Sequence, residues 1–259
     1  MCRKGSITII GKGVIGEIIG NIIDESPDEY TTEYITREET PEEREAKLKE
    51  ADVVFIAVKP KDLDGILDEL GAYAKDGAVL CTLVAGVKSD VYAKKLGDGI
   101  KLVRVIPTTT IKVGSGICSI TKTLGATDAD VDLIKHILYD AGLFISLEES
   151  KLDGFTAVVG CSPAYFFRFS KVLYAAAKKF GLNDLDAKFF ISQTLTGAGL
   201  AYLGDPGHDN DKELDDLIAE VASKGGATEK ALAIFDSSDF NNIVENAIGS
   251  AYKSLHAFV

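Results

Sequence analysis

Apolar positions in the first half of the chain fall into short β-branched runs that alternate with segments of helical spacing. Residues 6–10 form a strand-length run, and after it Ile15, Ile18, Ile19 and Ile22 recur on one helical face. Residues 34–37 read as a short second strand, Pro41–Glu50 as a charged helix, and residues 51–60 as a strand apolar enough to be covered on both faces of a parallel sheet. A helix over 62–73, a strand over 78–84, a helix over 90–96, strands over 101–105 and 116–121 and a helix over 128–140 follow. This alternation predicts an α/β fold, a doubly wound Rossmann-type sheet, for residues 1–150.

The pattern changes after residue 147. Residues 151–259 read as helices only, over 163–180, 185–203, 212–222, 227–235 and 240–255, forming an all-α second domain. The first of these is apolar around most of its circumference, with Arg168, Lys171 and Lys178 on one narrow stripe, and such a helix needs cover on nearly every side. Small residues from Thr196 to Ala201 allow another helix to come close. The expectation is a symmetric partner, a homodimer or a higher homo-oligomer, set against a self-contained bundle.

Composition narrows the class. The chain has 259 residues, 46% of them hydrophobic, and a formal net charge of −12. The negative balance argues against a nucleic-acid partner, which requires clustered Lys and Arg. No run is long enough for a membrane span and no charged leader precedes a hydrophobic stretch, so no membrane partner and a cytoplasmic location are expected. Cys2, Cys81, Cys118 and Cys161 are widely spaced among only three histidines, so free thiols are expected and no metal site.

Two motifs carry chemistry. The first is Gly11-Lys12-Gly13-Val14-Ile15-Gly16, placed directly after a strand and opening a helix. Gly11 is expected to make the tight turn, Gly13 to let the backbone reach a pyrophosphate, and Gly16 to allow close packing. The second is Ser223-Lys-Gly225-Gly226-Ala227-Thr228, at the mouth of a helix starting near Ala227. First-turn N–H groups welcome an anion, and the glycines leave room for a ligand carboxylate. A plain turn with a weak Thr cap is the alternative reading.

With these motifs in view, the chain resembles pyrroline-5-carboxylate reductase, the enzyme that makes proline. The similarity lies in the glycine motif, Ala57-Val58-Lys59-Pro60, Val84-Ala85-Gly86-Val87, Arg104-Val-Ile-Pro107, Val113-Gly-Ser-Gly116, Gly160-Cys161-Ser-Pro-Ala-Tyr165, Gln193-Thr-Leu-Thr-Gly197 and the 223–228 loop, in this order. The resemblance implies NADPH-dependent reduction of 1-pyrroline-5-carboxylate to L-proline. It places the cofactor on residues 11–16, on Ala57, Val58, Lys59 and Pro60, and on Ala85 and Gly86. It implies a substrate carboxylate on the backbone of Gly225, Gly226 and Ala227, with Thr228 beside the ring nitrogen. It also implies an intertwined dimer, often within a larger ring.

Thr36 and Arg37, at the end of the second strand, favour a cofactor 2′-phosphate and hence NADPH. The neighbouring Glu38 leaves NADH as the alternative. A strand and helix usual between the second strand and Ala51 are merged here into one helix.

The chain departs from the family at Val159 and Cys161, where Ser is usual, at Thr108, where Asn is usual, and at Lys224, where Pro is usual. Residues 205–212 look like an insertion, with Asp205 as a stand-in for a substrate-facing Glu. Two other readings stay open. One is a related cyclic-imine reductase or a hydroxyacid-type dehydrogenase, the latter with Lys171 as its acid or base. The other is a non-catalytic dinucleotide-binding interaction protein.

Overall fold

The structure, a computed structural model, describes residues 5–26, 28–204 and 213–256. Its contacts divide the chain into two units, Met1–Pro163 with Gly249–Val259, and Ala164–Ile248.

The first unit is built on a seven-stranded sheet in the order β2-β1-β3-β4-β5-β6-β7. These strands are β1 (Gly5–Ile10), β2 (Tyr30–Ile35), β3 (Val53–Ile56), β4 (Val79–Thr82), β5 (Lys101–Pro107), β6 (Gly116–Leu124) and β7 (Gly142–Ser146). β1 to β5 are mutually parallel, β6 runs antiparallel to β5, and β7 is parallel to β6.

Strand periodicity splits the core into two layers. Ile7, Ile9, Val53, Phe55, Val79 and Cys81 point to one face and pack with Ile19 and Ile23 of α1 (Val14–Asp24) and Ile134 and Ile137 of α5 (Asp128–Ile137). Ile10, Val54, Ile56 and Leu80 point to the other face. There they meet Leu48 of α2 (Pro41–Glu50), Leu63, Leu67 and Leu70 of α3 (Leu63–Tyr73) and Tyr92 of α4 (Ser89–Leu96). β3 and β4 are buried throughout, as strands covered on both sides must be.

Helix entries are chemically marked. Thr40 and Glu43 form a capping box ahead of Pro41 at the start of α2, and Thr127 and Asp130 form another at α5. α2 alone joins β2 to β3, so the chain leaves β1 toward one edge and returns on its other side. The carboxyl ends of β1 and β3 therefore form a topological switch point, where ligands bind in open α/β sheets.

After β7 come α6 (Leu152–Phe155) and a π-helical turn, Thr156–Gly160, in which the Cys161 N–H reaches back to the Thr156 carbonyl. The second unit holds the rest of α7 (Ser162–Lys179), together with α8 (Asp184–Leu203), α9 (Leu214–Val221), α10 (Ala227–Asp236) and α11 (Phe240–Leu255) as far as Ile248. Gly181 at φ 92° and the cap of Asn183 on the Asp186 N–H make the α7–α8 corner.

Several elements differ from the sequence expectation. The second strand is Tyr30–Ile35 rather than 34–37, so Thr36 and Arg37 stand just beyond its end. The 128–140 helix stops at Ile137 and continues as a short 3-10 turn, Tyr139–Ala141, into β7, which has no counterpart in the sequence reading. α9 begins at Leu214; Lys212, Asp205 and Cys2 lie outside the described residues.

Candidate functional site

The switch point opens into a cleft of about 550 Å³ lined by Gly11, Lys12, Gly13, Thr36, Arg37, Glu38, Arg44, Ala57, Val58, Lys59, Lys61 and Asp62. It thus gathers the residues following β1, β2 and β3. Of the expected cofactor residues, Val14, Ile15 and Gly16 form the first turn of α1 beside it, and Pro60 opens the short 3-10 turn Pro60–Asp62. Ala85 and Gly86 make a separate turn past the end of β4, with Gly86 at φ 76°.

The three motif glycines differ in what holds them. Gly11 sits at φ 102°, and a Cβ there would lie 2.6 Å from the Ala57 carbonyl oxygen. A Cβ on Gly16 would lie 2.1 Å from the Gly11 carbonyl oxygen. Both are required by the fold itself. A Cβ on Gly13 would meet nothing within 4 Å, so this glycine keeps clear a space in front of the α1 N-terminus. The α1 first-turn N–H groups and this open approach fit a pyrophosphate.

The far end of the cleft is cationic in a chain of net charge −12. The Lys12 ammonium lies 5.0 Å from the centre of the Tyr34 ring. Arg37 is 87% exposed and touches Asp62 at 3.3 Å. Arg44 is committed to Glu69 and to the Thr36 carbonyl.

Glu39 fixes the backbone ahead of Arg37. It accepts from the Thr36 N–H at 2.7 Å and Oγ1 at 2.8 Å, and it pairs with Lys47. Burial pushes the Glu39 carboxyl up, but the bonds from Thr36 and Lys47 outweigh this and bring it down to about 2.

The second motif lies in the helical unit. Gly225 adopts φ 76°; its N–H donates to the Glu229 carboxylate at 2.7 Å, and the Gly226 N–H donates to the Ser223 carbonyl at 2.9 Å. Gly225 and Gly226 therefore spend their N–H groups inside the turn, unlike the sequence expectation for the carboxylate. The N–H groups of Ala227 and Thr228, in the first turn of α10, have no acceptor among the described residues. Gly226 is the N-cap and no side chain caps the helix, so Thr228 is not a cap. Its hydroxyl has no hydrogen-bond partner among the described residues.

The remaining candidates separate. Thr108 is 3% exposed, and its hydroxyl receives the Ile117 N–H and meets Thr110 Oγ1. Its position is explained by the β5–β6 connection. Val159 lies in the π turn and Cys161 just after it, a half-buried free thiol; Cys81 and Cys118 are buried free thiols whose titration burial pushes up. Lys171 is an exposed residue of α7 and Lys224 an exposed residue of the 223–228 loop. The 45-residue-apart pair Arg104 and Glu149, absent from the sequence reading, is joined at 2.6 Å with Arg104 2% exposed.

Comparison with known proteins gives a consistent result. Residues 149–257 match a family model described as pyrroline-5-carboxylate reductase dimerisation. Pyrroline-5-carboxylate reductase 2 of Bacillus subtilis is 30% identical over 202 residues, spanning 78% of this chain and 70% of that protein. The Aquifex aeolicus pyrroline-5-carboxylate reductase is 32% identical over 198 residues, 76% of this chain and 72% of that one. Among solved structures, the Plasmodium falciparum pyrroline carboxylate reductase with NADP bound superimposes with a TM-score of 0.87 at 22% identity, covering 98% of this chain and 97% of that chain.

Proposed function

Because the chain belongs to the pyrroline-5-carboxylate reductase family, we propose that it carries out the NADPH-dependent reduction of 1-pyrroline-5-carboxylate to L-proline, with the cofactor bound in the switch-point cleft and the substrate carboxylate on the 223–228 loop. When bound, the nicotinamide cofactor supplies the hydride that reduces the C=N bond. The protein's share is binding, orientation and one proton at the ring nitrogen, for which neither a nucleophile nor a metal is needed.

In this reading the α1 N-terminus and Gly13 hold the pyrophosphate, Ala57, Val58, Lys59 and Pro60 line the cofactor, and Ala85 and Gly86 flank its reactive end. Arg37 pairs with the 2′-phosphate after exchanging its exposed contact with Asp62, which costs little. The Ala227 and Thr228 N–H groups take the substrate carboxylate, Gly225 and Gly226 shape the turn that presents them, and Cys161 packs against the ring. Thr228 Oγ1 is the substrate-orienting donor to the ring nitrogen. The observation that carries the assignment is a first-turn threonine whose hydroxyl, like the two N–H groups beside it, has no partner among the described residues.

The chain is a homo-oligomer, and we place the two-fold contact of a homodimer on the helical unit. The apolar residues of α7 and α8 that stand exposed in one chain support this. Among the described residues no helix is long and apolar enough to cross a membrane, and the reading places the reaction in the cytoplasm.

The test is cofactor oxidation assayed side by side with pyrroline-5-carboxylate, its 2-carboxylate isomer and the six-membered homologue. The 5-carboxylate is expected to give the highest kcat/KM with NADPH. Faster turnover of either competitor, or of a hydroxyacid with NADP+, overturns the assignment.

A further inference from the structure

The mechanism above leaves unused a partly buried ionic cluster in the sheet unit, built around the buried Arg104. Arg104 lies on β5, is 2% exposed and donates from Nη1 to Glu149 Oε1 at 2.6 Å. Its Nε has no partner among the described residues. The same carboxylate receives the Ser89 N–H on Oε1 at 2.9 Å and the Ser89 hydroxyl on Oε2 at 2.7 Å. One carboxylate thus ties its own segment to two others that are 45 and 60 residues from it in sequence.

Two of these segments run straight into the proposed site. Ser89 opens α4 three positions after Gly86, and both Gly86 and Val87 are buried. The other flank of this turn is pinned as well, because the Val84 N–H donates to Thr82 Oγ1, which meets the Tyr92 hydroxyl at 2.5 Å. Glu149 begins the stretch that leads through α6 to the π turn and Cys161. The π turn packs on β5, where a Cβ at Gly160 would lie 3.8 Å from Ile106 Cγ2, two residues along the strand from Arg104.

Stability alone is a poor reason for this arrangement. Burying a guanidinium with one N–H unmatched is costly, and apolar residues of similar volume commonly do as well or better in such positions. What an apolar pair could not do is bond Ser89 and so fix the approach to Gly86.

We infer that Glu149 is a positioning residue that, through Ser89 and Arg104, holds the Ala85-Gly86 turn and the π turn with Cys161 in one geometry for hydride transfer. The inference rests on the proposed function.

The test compares Ser89→Ala, Glu149→Gln and the double variant Arg104→Met with Glu149→Leu in the full-length oligomer. The double variant guards against misfolding, because it leaves no unpaired charge inside. Hydrogen exchange of the cofactor-free protein is read in peptides covering residues 84–90 and 150–161, with residues 6–16 as reference.

Exchange in residues 84–90 is expected to rise roughly tenfold in every folded variant, and in 150–161 in the two Glu149 variants, while residues 6–16 keep parental protection. With NADPH, kcat should fall roughly tenfold in the Glu149 variants with KM for NADPH nearly constant, and the primary deuterium isotope effect on kcat should grow. Folded variants with parental exchange and parental isotope effects overturn the inference. A parent protein that oxidises no NADPH with pyrroline-5-carboxylate overturns instead the proposed function, leaving the exchange result to stand on its own.

Discussion

Phe55 on β3 and Phe189 on α8 are the same side chain in opposite circumstances: the first is 0% exposed and the second 62% exposed. The contrast holds across the two units. In the sheet unit, both faces of the central strands are closed within one chain by α1 to α5. In the helical unit, α7, α9 and α10 have no buried residue and α8 has only Ala187.

Phe166, Phe167 and Phe169 on α7 and Phe180 just past its end are exposed aromatics, and Phe190, Leu200 and Leu203 are exposed apolar residues of α8. Each such side chain gains about 1.5–3 kcal/mol on full burial, so a surface like this is half of a core. The sheet unit carries its information in its own sequence. On the proposed reading the helical unit shares its with a second copy, and residues 149–257 match the family's dimerisation model.

Changing one of these two phenylalanines at a time separates the two units. Phe189→Asp is expected to leave the sheet unit folded but to yield a monomer by light scattering, with turnover down by roughly a hundredfold, the equivalent of about 2.7 kcal/mol. Phe55→Ala should instead cost about 3–5 kcal/mol of stability at any protein concentration. An oligomeric, fully active Phe189→Asp protein would mean that α8 faces something other than a partner.

Within the sheet unit, Gly16→Ala and Gly13→Ala separate fold from ligand. The first forces a Cβ against the Gly11 carbonyl and should lower the melting temperature of the cofactor-free protein by an amount worth roughly 2 kcal/mol. The second enters open space, so melting should stay parental while KM for NADPH rises roughly tenfold. Equal melting shifts in the two variants would contradict the distinction drawn between them.

In the helical unit the matching test is Thr228→Ala. A hydroxyl without a partner among the described residues should be dispensable for folding, so melting is expected to be unchanged while kcat/KM falls about tenfold, about 1.4 kcal/mol. Thr228→Ser should recover most of the loss. A variant that melts earlier yet turns over normally makes Thr228 structural.

Smaller still is Arg37→Ala. It should raise KM for NADPH roughly fivefold, about 1 kcal/mol, and leave KM for NADH nearly constant. A parallel rise for both cofactors removes Arg37 as the discriminator.

Glu39 gives the smallest functional effect. Its carboxyl is lowered from 4.5 to about 2, so its contribution to stability is full above pH 4.5 and is lost as pH falls toward 2. Parent and Glu39→Gln are therefore expected to differ in denaturant midpoint at neutral pH and to converge below about pH 2. A constant difference across that window would mean that Glu39 is not held as the ion.

Wherever one segment carried its own signal, the sequence was readable. β1 with its glycine turn, the apolar β3 and the start of α10 all declare themselves locally. β2 lies earlier than its sequence expectation because an edge strand alternates: Tyr30, Thr32 and Tyr34 face inward between exposed residues, and only the last stretch looks apolar. β7 has no counterpart in the sequence expectation because its Leu143 and Ile145 are exposed, so no run of buried apolar residues marks it. The Arg104–Glu149–Ser89 cluster has no local signal at all, since its members come together only when β5, α4 and the end of β7 are assembled. The π turn is likewise invisible, as an i to i+5 bond leaves the apolar spacing almost unchanged.

The uncovered phenylalanines of α7 and α8 also set how this protein comes into being. If half of the helical core must arrive on another molecule, completion of the fold is second order in chain concentration. Newly made chains then pass through a stage with a finished nucleotide-binding half and an adhesive, unfinished one. Activity recovered on refolding should lag behind the return of the sheet, and the lag should shorten as the protein is concentrated. In a cell making two versions of the chain, mixed assemblies follow, so a version with an impaired sheet but intact helices would capture sound partners and share its defect with them.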